Sequence, residues 1–478
     1  MRAYGIIKRE ISAEDTRLKK NELYEIHTDD LTVEGNGVGR IDGMAVFVPG
    51  MLPGETGVVR IIKLAKSYGI GKLVELKTSS PKRVAPQCPV FDRCGGCSLM
   101  HMSYAAQLDF KQKRVEDCIR RIAKSGAAVN DIVPADDILR YRNKTAFPVR
   151  STPDGIAMGC FARRTHRVVN VSDCLISSEK CAQILKKLRE FMEKYGISAY
   201  DEGTHTGVLR HVVIRESSTG ERILALVINA GKIAHETELI ELFKEDADTI
   251  AINKNTSQGN AILTPHTRVI YGSGHITEDI CGLKFQISIN SFLQINHAQT
   301  QKLYNLALDR ANITDADVVA DLYCGAGTIS LIAARRAKAV YGIEIVPQAI
   351  ENADKNAQAN GITNAHFLNA DCAQGFEQIA KISGRPDVII VDPPRKGLDE
   401  KVINDIAAVG TSRLIYVSCD PATLARDAAL FAPLGYVLKE VTPVDMFPNT
   451  TAVETVCLLV LRNPVTHINI DVDVEEMV

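Results

Sequence analysis

The stretch VVADLYCGAGTISLIAA, residues 318–334, reads as a buried strand that turns through two glycines and leaves as a helix. Val318, Val319 and Ala320 are apolar without alternation, the pattern of a strand covered on both faces. Gly325 and Gly327 lie in the turn, where a missing Cβ lets backbone approach a ligand. Similar units follow at AVYGIEIV (339–346), AHFLNAD (365–371), DVIIVDPPRKG (387–397) and RLIYVSC (413–419). Helical text such as PQAIENADKNAQANG (347–361) lies between several of them. This alternation predicts a doubly wound, Rossmann-like parallel sheet, whose ligands bind at the carboxyl ends of the strands.

Two nucleotide cradles are disfavoured. A dinucleotide fingerprint wants a third glycine at position 330, which is Ser330, and the chain has no G-x-x-x-x-G-K-[ST] loop. What remains is an acid at the end of each successive strand: Asp321, Glu344, Asp371 and Asp392. Glu344 is placed to accept ribose hydroxyls and Asp371 an adenine amino group. Such a set suits S-adenosylmethionine, whose sulfonium is a cation and needs no phosphate cradle. One Asp after a strand ordinarily caps the next helix; four in order favour the cofactor.

RLIYVSCDPATLARD (413–427) delivers Cys419 to that same edge, and DVIIVDPPRKG brings Asp392 and Arg395. A DPP turn also fits methylases of exocyclic amines, but those follow it with an aromatic that stacks the base, and here Arg395 stands. A cysteine beside a methyl donor solves another problem. Carbon 5 of uracil is a weak nucleophile until a thiolate adds to carbon 6. A base must then take the carbon 5 proton so that the thiol can leave. The candidate base is Glu454, in DMFPNTTAVETV (445–456). The ordinary alternative for Cys419 is a core thiol.

Working outward, 478 residues exceed one ordinary core and suggest about three domains. Expected divisions are an N-terminal lead over 1–22, a small β-barrel of the oligonucleotide-binding type over 23–80, a central α+β region over 81–285, the methyltransferase-like domain over 286–463 and an acidic tail over 464–478. The barrel rests on short β-prone runs split by glycines, as in LTVEGNGVGRIDG (31–43). A helix is predicted over Tyr104–Lys124 and is expected to pack on the catalytic domain. Leu108, Val115, Ile119 and Ile122 fall on one face, with Lys111, Lys113, Arg114 and Arg121 elsewhere.

Hydrophobic content of 45% with 24% charged residues is that of a globular protein, and no apolar run reaches the ~18 residues of a membrane span. The opening MRAYGIIKREISAED lacks a signal-peptide core, so a cytoplasmic location is expected, where twelve cysteines read as thiols or ligands rather than disulfides. The formal charge of −2 hides an asymmetry: residues 81–170 hold 16 Lys and Arg against 8 Asp and Glu. RYRNKTAFPVR (140–150) and ARRTHRVV (162–169) carry much of that excess, a footprint for a polyanion such as RNA. Nothing in the sequence marks an obligate protein partner.

QCPVFDRCGGCSLMHM (87–102) sets Cys88, Cys94 and Cys97 around two glycines, one thiolate short of a closed site. Four thiolates suit an iron–sulfur cluster or structural zinc. Cys118, Cys160, Cys174 and Cys181 compete for the fourth place.

Together these residues resemble the RNA 5-methyluridine methyltransferase family, from the barrel, there called TRAM, to Glu454. SCDPATLARD, DLYCGAGT, DPPRKG and the cysteine run carry the likeness. The resemblance implies Cys419 as nucleophile, Glu454 as base, and Gln294 of SFLQIN with Tyr323, Glu344, Asp371 and Asp392 at the cofactor. It further implies a 4Fe–4S cluster on Cys88, Cys94, Cys97 and Cys174, tying the segment near 90 to the basic loop near 170. The likeness is greatest to the branch that acts on 23S ribosomal RNA, some cluster-bearing relatives acting on tRNA. One departure stands out, since Ala452 occupies a position where the family commonly has histidine. Competing readings are an RNA amino-group methylase and an RNA-binding factor on a degenerate methylase fold.

Overall fold

The computed structural model describes residues 18–462. Most of the expected lead and the whole of the acidic tail lie outside the described residues. The described residues form two compact units, the first made of residues 18–110 with Phe161–Val169 and Pro448–Thr451, the second of the other described residues.

In the first unit, strands β1 (Leu23–Leu31), β2 (Asn36–Ile41), β3 (Met44–Pro49), β4 (Glu55–Leu64) and β5 (Tyr68–Thr78) close into a barrel in the order β1-β2-β3-β5-β4. Period-two alternation turns Val46, Val48, Val59 and Ile61 inward, where they meet Ile26, Ile41 and Met51. Gly39 is obligatory, because a Cβ there would lie 2.1 Å from the His27 carbonyl oxygen. Beyond the barrel, Leu52, Leu99, Met102 and Ala106 form a small separate core. Asn449 is bound into it by Gln107, through Asn449 N–H to Oε1 at 2.8 Å and Nε2 to Oδ1 at 3.2 Å.

The helix α1 spans Tyr104–Arg121, ending short of the expected Lys124, where the chain turns left-handed with φ 51°. Within the second unit its Val115 and Ile119 sit in one core with Leu322, Val391 and Tyr416. After β6 (Ala128–Val129) come β7 (Lys144–Thr152), β8 (Gly155–Phe161), β9 (Val168–Asn170), α2 (Glu179–Tyr195), β10 (Leu209–Glu216), β11 (Arg222–Ile228), α3 (Glu236–Phe243), β12 (Thr249–Lys254) and β13 (Thr267–Tyr271). The strands make a mixed sheet, β13-β12-β11-β10-β7-β8-β9. One face packs on α2 through Ile184 and Leu188; the other turns Val213, Ala225 and Val227 into a core shared with the catalytic layer.

A hairpin, β14 (His275–Ile280) and β15 (Leu283–Ser288), leads through a loop to α4 (His297–Ala311). The expected doubly wound sheet follows: β16 (Val318–Leu322), α5 (Thr328–Ala334), β17 (Ala339–Glu344), α6 (Pro347–Ala359), β18 (Ala365–Asn369), α7 (Cys372–Ser383), β19 (Val388–Val391), α8 (Glu400–Val409), β20 (Arg413–Ser418), α9 (Pro421–Phe431), β21 (Tyr436–Val444) and β22 (Glu454–Leu461). Its order is β18-β17-β16-β19-β20-β22-β21-β6, parallel from β16 to β20 with β22 antiparallel beside β20. The winding reverses between β16 and β19, which opens a crevice at their carboxyl ends. Among the described residues no helix is long and apolar enough to cross a membrane.

Candidate active site

Cys419 follows β20 directly, and Glu454 opens β22. These strands pair antiparallel with Ser418 opposite Thr455, so the two residues lie at adjoining strand ends. Glu454 is 1% exposed, and its Oε2 has no hydrogen-bond partner among the described residues. Burial, reinforced by the nearby Asp392 carboxylate and opposed by Arg395, pushes its carboxyl up to about 8. The half-buried Cys419 thiol is pushed up to about 11 by burial and then by Glu454, with Arg395 again acting against the rise.

Asp392, at the end of β19, is lifted to about 7 by burial, while a hydrogen bond from the buried Gln294 holds it down. Asp321, at the end of β16, is likewise lifted to about 7 by burial, although Ser330 Oγ donates to it at 2.5 Å. Three acids on this edge are raised into the neutral range, each chiefly by burial, so each ionises at a cost that a nearby cation would offset.

Of the other expected cofactor residues, Glu344 accepts from Gly325 N–H at 3.3 Å and from Val346 N–H at 2.9 Å, which binds it to the glycine turn. Tyr323 adopts φ 65°, a left-handed backbone rare outside glycine, and its hydroxyl pairs with the Cys372 thiol. Asp371 is exposed and caps α7, accepting from Gln374 N–H at 2.9 Å. That is the ordinary helix-capping role, filled by one of its two oxygens. Tyr304 on α4, fully buried and within electrostatic reach of Asp392, Asp321 and Glu454, was missed from the sequence. In the helix text it reads as one more core position. Arg395 carried a signal, a cation where a base-stacking aromatic is usual, and the structure brings it to both Cys419 and Glu454.

The cysteine run lies in the first unit. Gly96 N–H donates to Cys94 Sγ at 3.3 Å, Gly95 N–H to the Phe161 carbonyl at 2.9 Å, and Arg163 to the Cys97 carbonyl at 3.0 Å. Cys174 belongs to the second unit, where a hydrogen bond with the Cys160 thiol brings it down to about 6. Cys181 is a core thiol, pushed up to about 12 by burial. Among the described residues no group of three or more His, Cys, Asp or Glu is arranged to hold a metal ion.

A doubly wound sheet with acids on successive strand ends and a cysteine beside a buried glutamate defines an S-adenosylmethionine-type methyltransferase. Residues 277–462 match the tRNA (Uracil-5-)-methyltransferase family model and residues 17–74 match the TRAM domain. An uncharacterised RNA methyltransferase of Halalkalibacterium halodurans is 42% identical, over 95% of this chain and all of its own. One from Listeria innocua is 41% identical, over 94% of this chain and all of its own. The crystal structure of the Pyrococcus abyssi tRNA (uracil-54, C5)-methyltransferase with S-adenosyl-L-homocysteine is similar with a TM-score of 0.75 and 28% identity, covering 91% of this chain and all of that one. The chain belongs to the RNA (uracil-5-)-methyltransferase family and is an S-adenosylmethionine-dependent RNA methyltransferase with an N-terminal TRAM domain.

Proposed function

We propose that this enzyme methylates carbon 5 of a specific uridine in structured RNA, 23S ribosomal RNA being the substrate. The observation that carries the chemistry is the β20–β22 register, which sets a thiol and a buried carboxyl at adjoining strand ends. S-adenosylmethionine supplies the methyl group. In this reading Gln294, Tyr323, Glu344, Asp371 and Asp392 hold it, and the buried acids favour its positive charge once they ionise.

Cys419, as the thiolate, adds to carbon 6 of the uracil, and the ring becomes an enolate nucleophilic at carbon 5. Arg395 favours the thiolate and opposes the repulsion that Glu454 imposes on it. Carbon 5 takes the methyl group as the methyl–sulfonium bond breaks and S-adenosylhomocysteine is left, and Glu454 then takes the proton from that carbon. The carbon 6–sulfur bond then breaks and Cys419 is restored. Ala452, two residues before Glu454, leaves the glutamate in place but removes any auxiliary role that a histidine there would fill.

The substrate class rests on the barrel, the basic run over 140–167 and the cysteine run, which resembles the branch acting on ribosomal RNA. The base would leave its stack to reach Cys419. A second reading, tRNA, is favoured by the P. abyssi neighbour, a tRNA uracil-54 enzyme. A 4Fe–4S cluster on Cys88, Cys94, Cys97 and Cys174 belongs to this proposal as a structural element with no part in the chemistry. It is supported by the C-x5-C-x2-C spacing.

The test supplies labelled S-adenosylmethionine with unmodified 23S ribosomal RNA or unmodified tRNA and identifies the labelled nucleoside. 5-Methyluridine from ribosomal RNA alone is expected. The same product from tRNA alone overturns the target, and a methylated purine overturns the mechanism.

A further inference from the structure

Gln294 sits in the loop between β15 and α4, and the carbonyl groups of that loop turn inward. Arg215 on β10 donates to the Ser288 carbonyl at 2.9 Å and to the Ser291 carbonyl at 2.8 Å. Asn143, just before β7, donates Nδ2 to the Gln294 carbonyl at 2.9 Å and its backbone N–H to the Ile295 carbonyl at 2.8 Å. Lys144 Nζ meets the Ile289 carbonyl at 3.3 Å. At the far end Asn296 caps α4 and donates to the Met446 carbonyl at 3.2 Å, and His297 pairs with Glu278 at 3.0 Å.

Arg215 is 2% exposed, its Nε has no hydrogen-bond partner among the described residues, and its hydrogen bonds go to carbonyls rather than to a carboxylate. The buried Glu278 carboxylate lies within electrostatic reach and offsets part of the cost of burying the charge, but the hydrogen bonds of the guanidinium go to the loop. What the guanidinium does that an apolar side chain cannot is hold two carbonyls at a set spacing. Those carbonyls bracket the turn whose next residues are Phe292, 74% exposed, and Gln294, buried and bonded to Asp392.

We propose that Arg215, with Asn143, is a positioning residue: the central sheet fixes the loop over 288–295 and so places the Gln294 amide against Asp392 for methyl-donor binding. This rests on the reading of Gln294 as a methyl-donor contact. The central sheet therefore takes part in catalysis without touching a reacting atom.

The test is a double-mutant cycle read by calorimetric affinity for S-adenosylhomocysteine, with kcat and KM for S-adenosylmethionine and melting temperature measured alongside. Arg215→Met is expected to weaken affinity roughly ten- to a hundredfold, the scale of a misplacement of about 1 Å. Arg215→Lys, which cannot span both carbonyls, should fall between. In a Gln294→Ala background, Arg215→Met should add little further loss. If Arg215→Met does not fold, Asn143→Ala reads the same coupling. Additive losses would overturn the positioning role alone. An unchanged affinity in Gln294→Ala would remove the Gln294 assignment and this inference with it.

Discussion

Ser418 and Thr455 face one another across β20 and β22, and Thr455 Oγ1 donates to the Ser418 carbonyl at 3.1 Å. This pair sets the register that puts Cys419 and Glu454 at adjoining strand ends, thirty-five positions apart in the sequence. RNA carrying 5-fluorouridine at the target has no removable proton at carbon 5, so a covalent adduct should accumulate. Cys419→Ala should form none, and Glu454→Gln should slow adduct resolution on natural RNA by ~10²-fold or more. Denaturing gels read both, and an adduct that persists in Cys419→Ala removes the nucleophile.

The raised carboxyl of Glu454 makes a signed pH prediction. A protein that keeps a proton up to about 8 in the folded state, on a group that ordinarily loses it near 4.5, binds more protons folded than unfolded between those values. Stability from this group is therefore lost as pH rises from about 4.5 to about 8, and Asp321 and Asp392 act in the same direction up to about 7. Glu454→Gln should flatten the decline in melting temperature. Activity moves the other way, because the base works as carboxylate, so kcat/KM should climb through about pH 8.

Cation binding should pull those protons away. At pH 7, association of S-adenosylmethionine is expected to release protons, measured as a binding enthalpy that varies with the ionisation enthalpy of the buffer. Glu454→Gln should release fewer. A buffer-independent enthalpy would show that the acids do not sense the sulfonium.

Lys111 and Asp445 form an ion pair in which neither side chain is exposed, and Lys111 Nζ also donates to the Phe447 carbonyl at 3.0 Å. Removing one partner strands a buried charge, so Lys111→Met should cost about 3–5 kcal/mol. Replacing both, Lys111→Met with Asp445→Leu, should recover much of the loss in urea unfolding.

The proposed cluster predicts iron. Anaerobically purified protein should hold about four irons by the proposed stoichiometry, and Cys174→Ala should lose them and lower the melting temperature. Full iron retention in that variant would sink the assignment of Cys174, and Cys160→Ala, which removes the thiol bonded to it, is the control.

Lys111 shows where sequence reading stops. Periodicity set it away from the apolar face of α1, yet it is wholly buried, because its partner Asp445 arrives from a segment more than three hundred residues away. Helical spacing reports which residues share a face, not what covers that face. For the same reason nothing in the local sequence singles out Tyr304 or Arg215.

The sequence by itself determined the doubly wound sheet and the barrel, because apolar period and glycine turns are local properties of the chain. It also marked Cys419, Glu344 and Asp392, since each follows a strand whose carboxyl end the alternation defines. Only the tertiary structure decided that Glu454 lies beside Cys419, that Gln294 donates to Asp392, and that Arg215 holds the loop between them. Those relations depend on strand order, register and the packing of one sheet beneath another, and they come from contacts far apart in the sequence that no local pattern encodes.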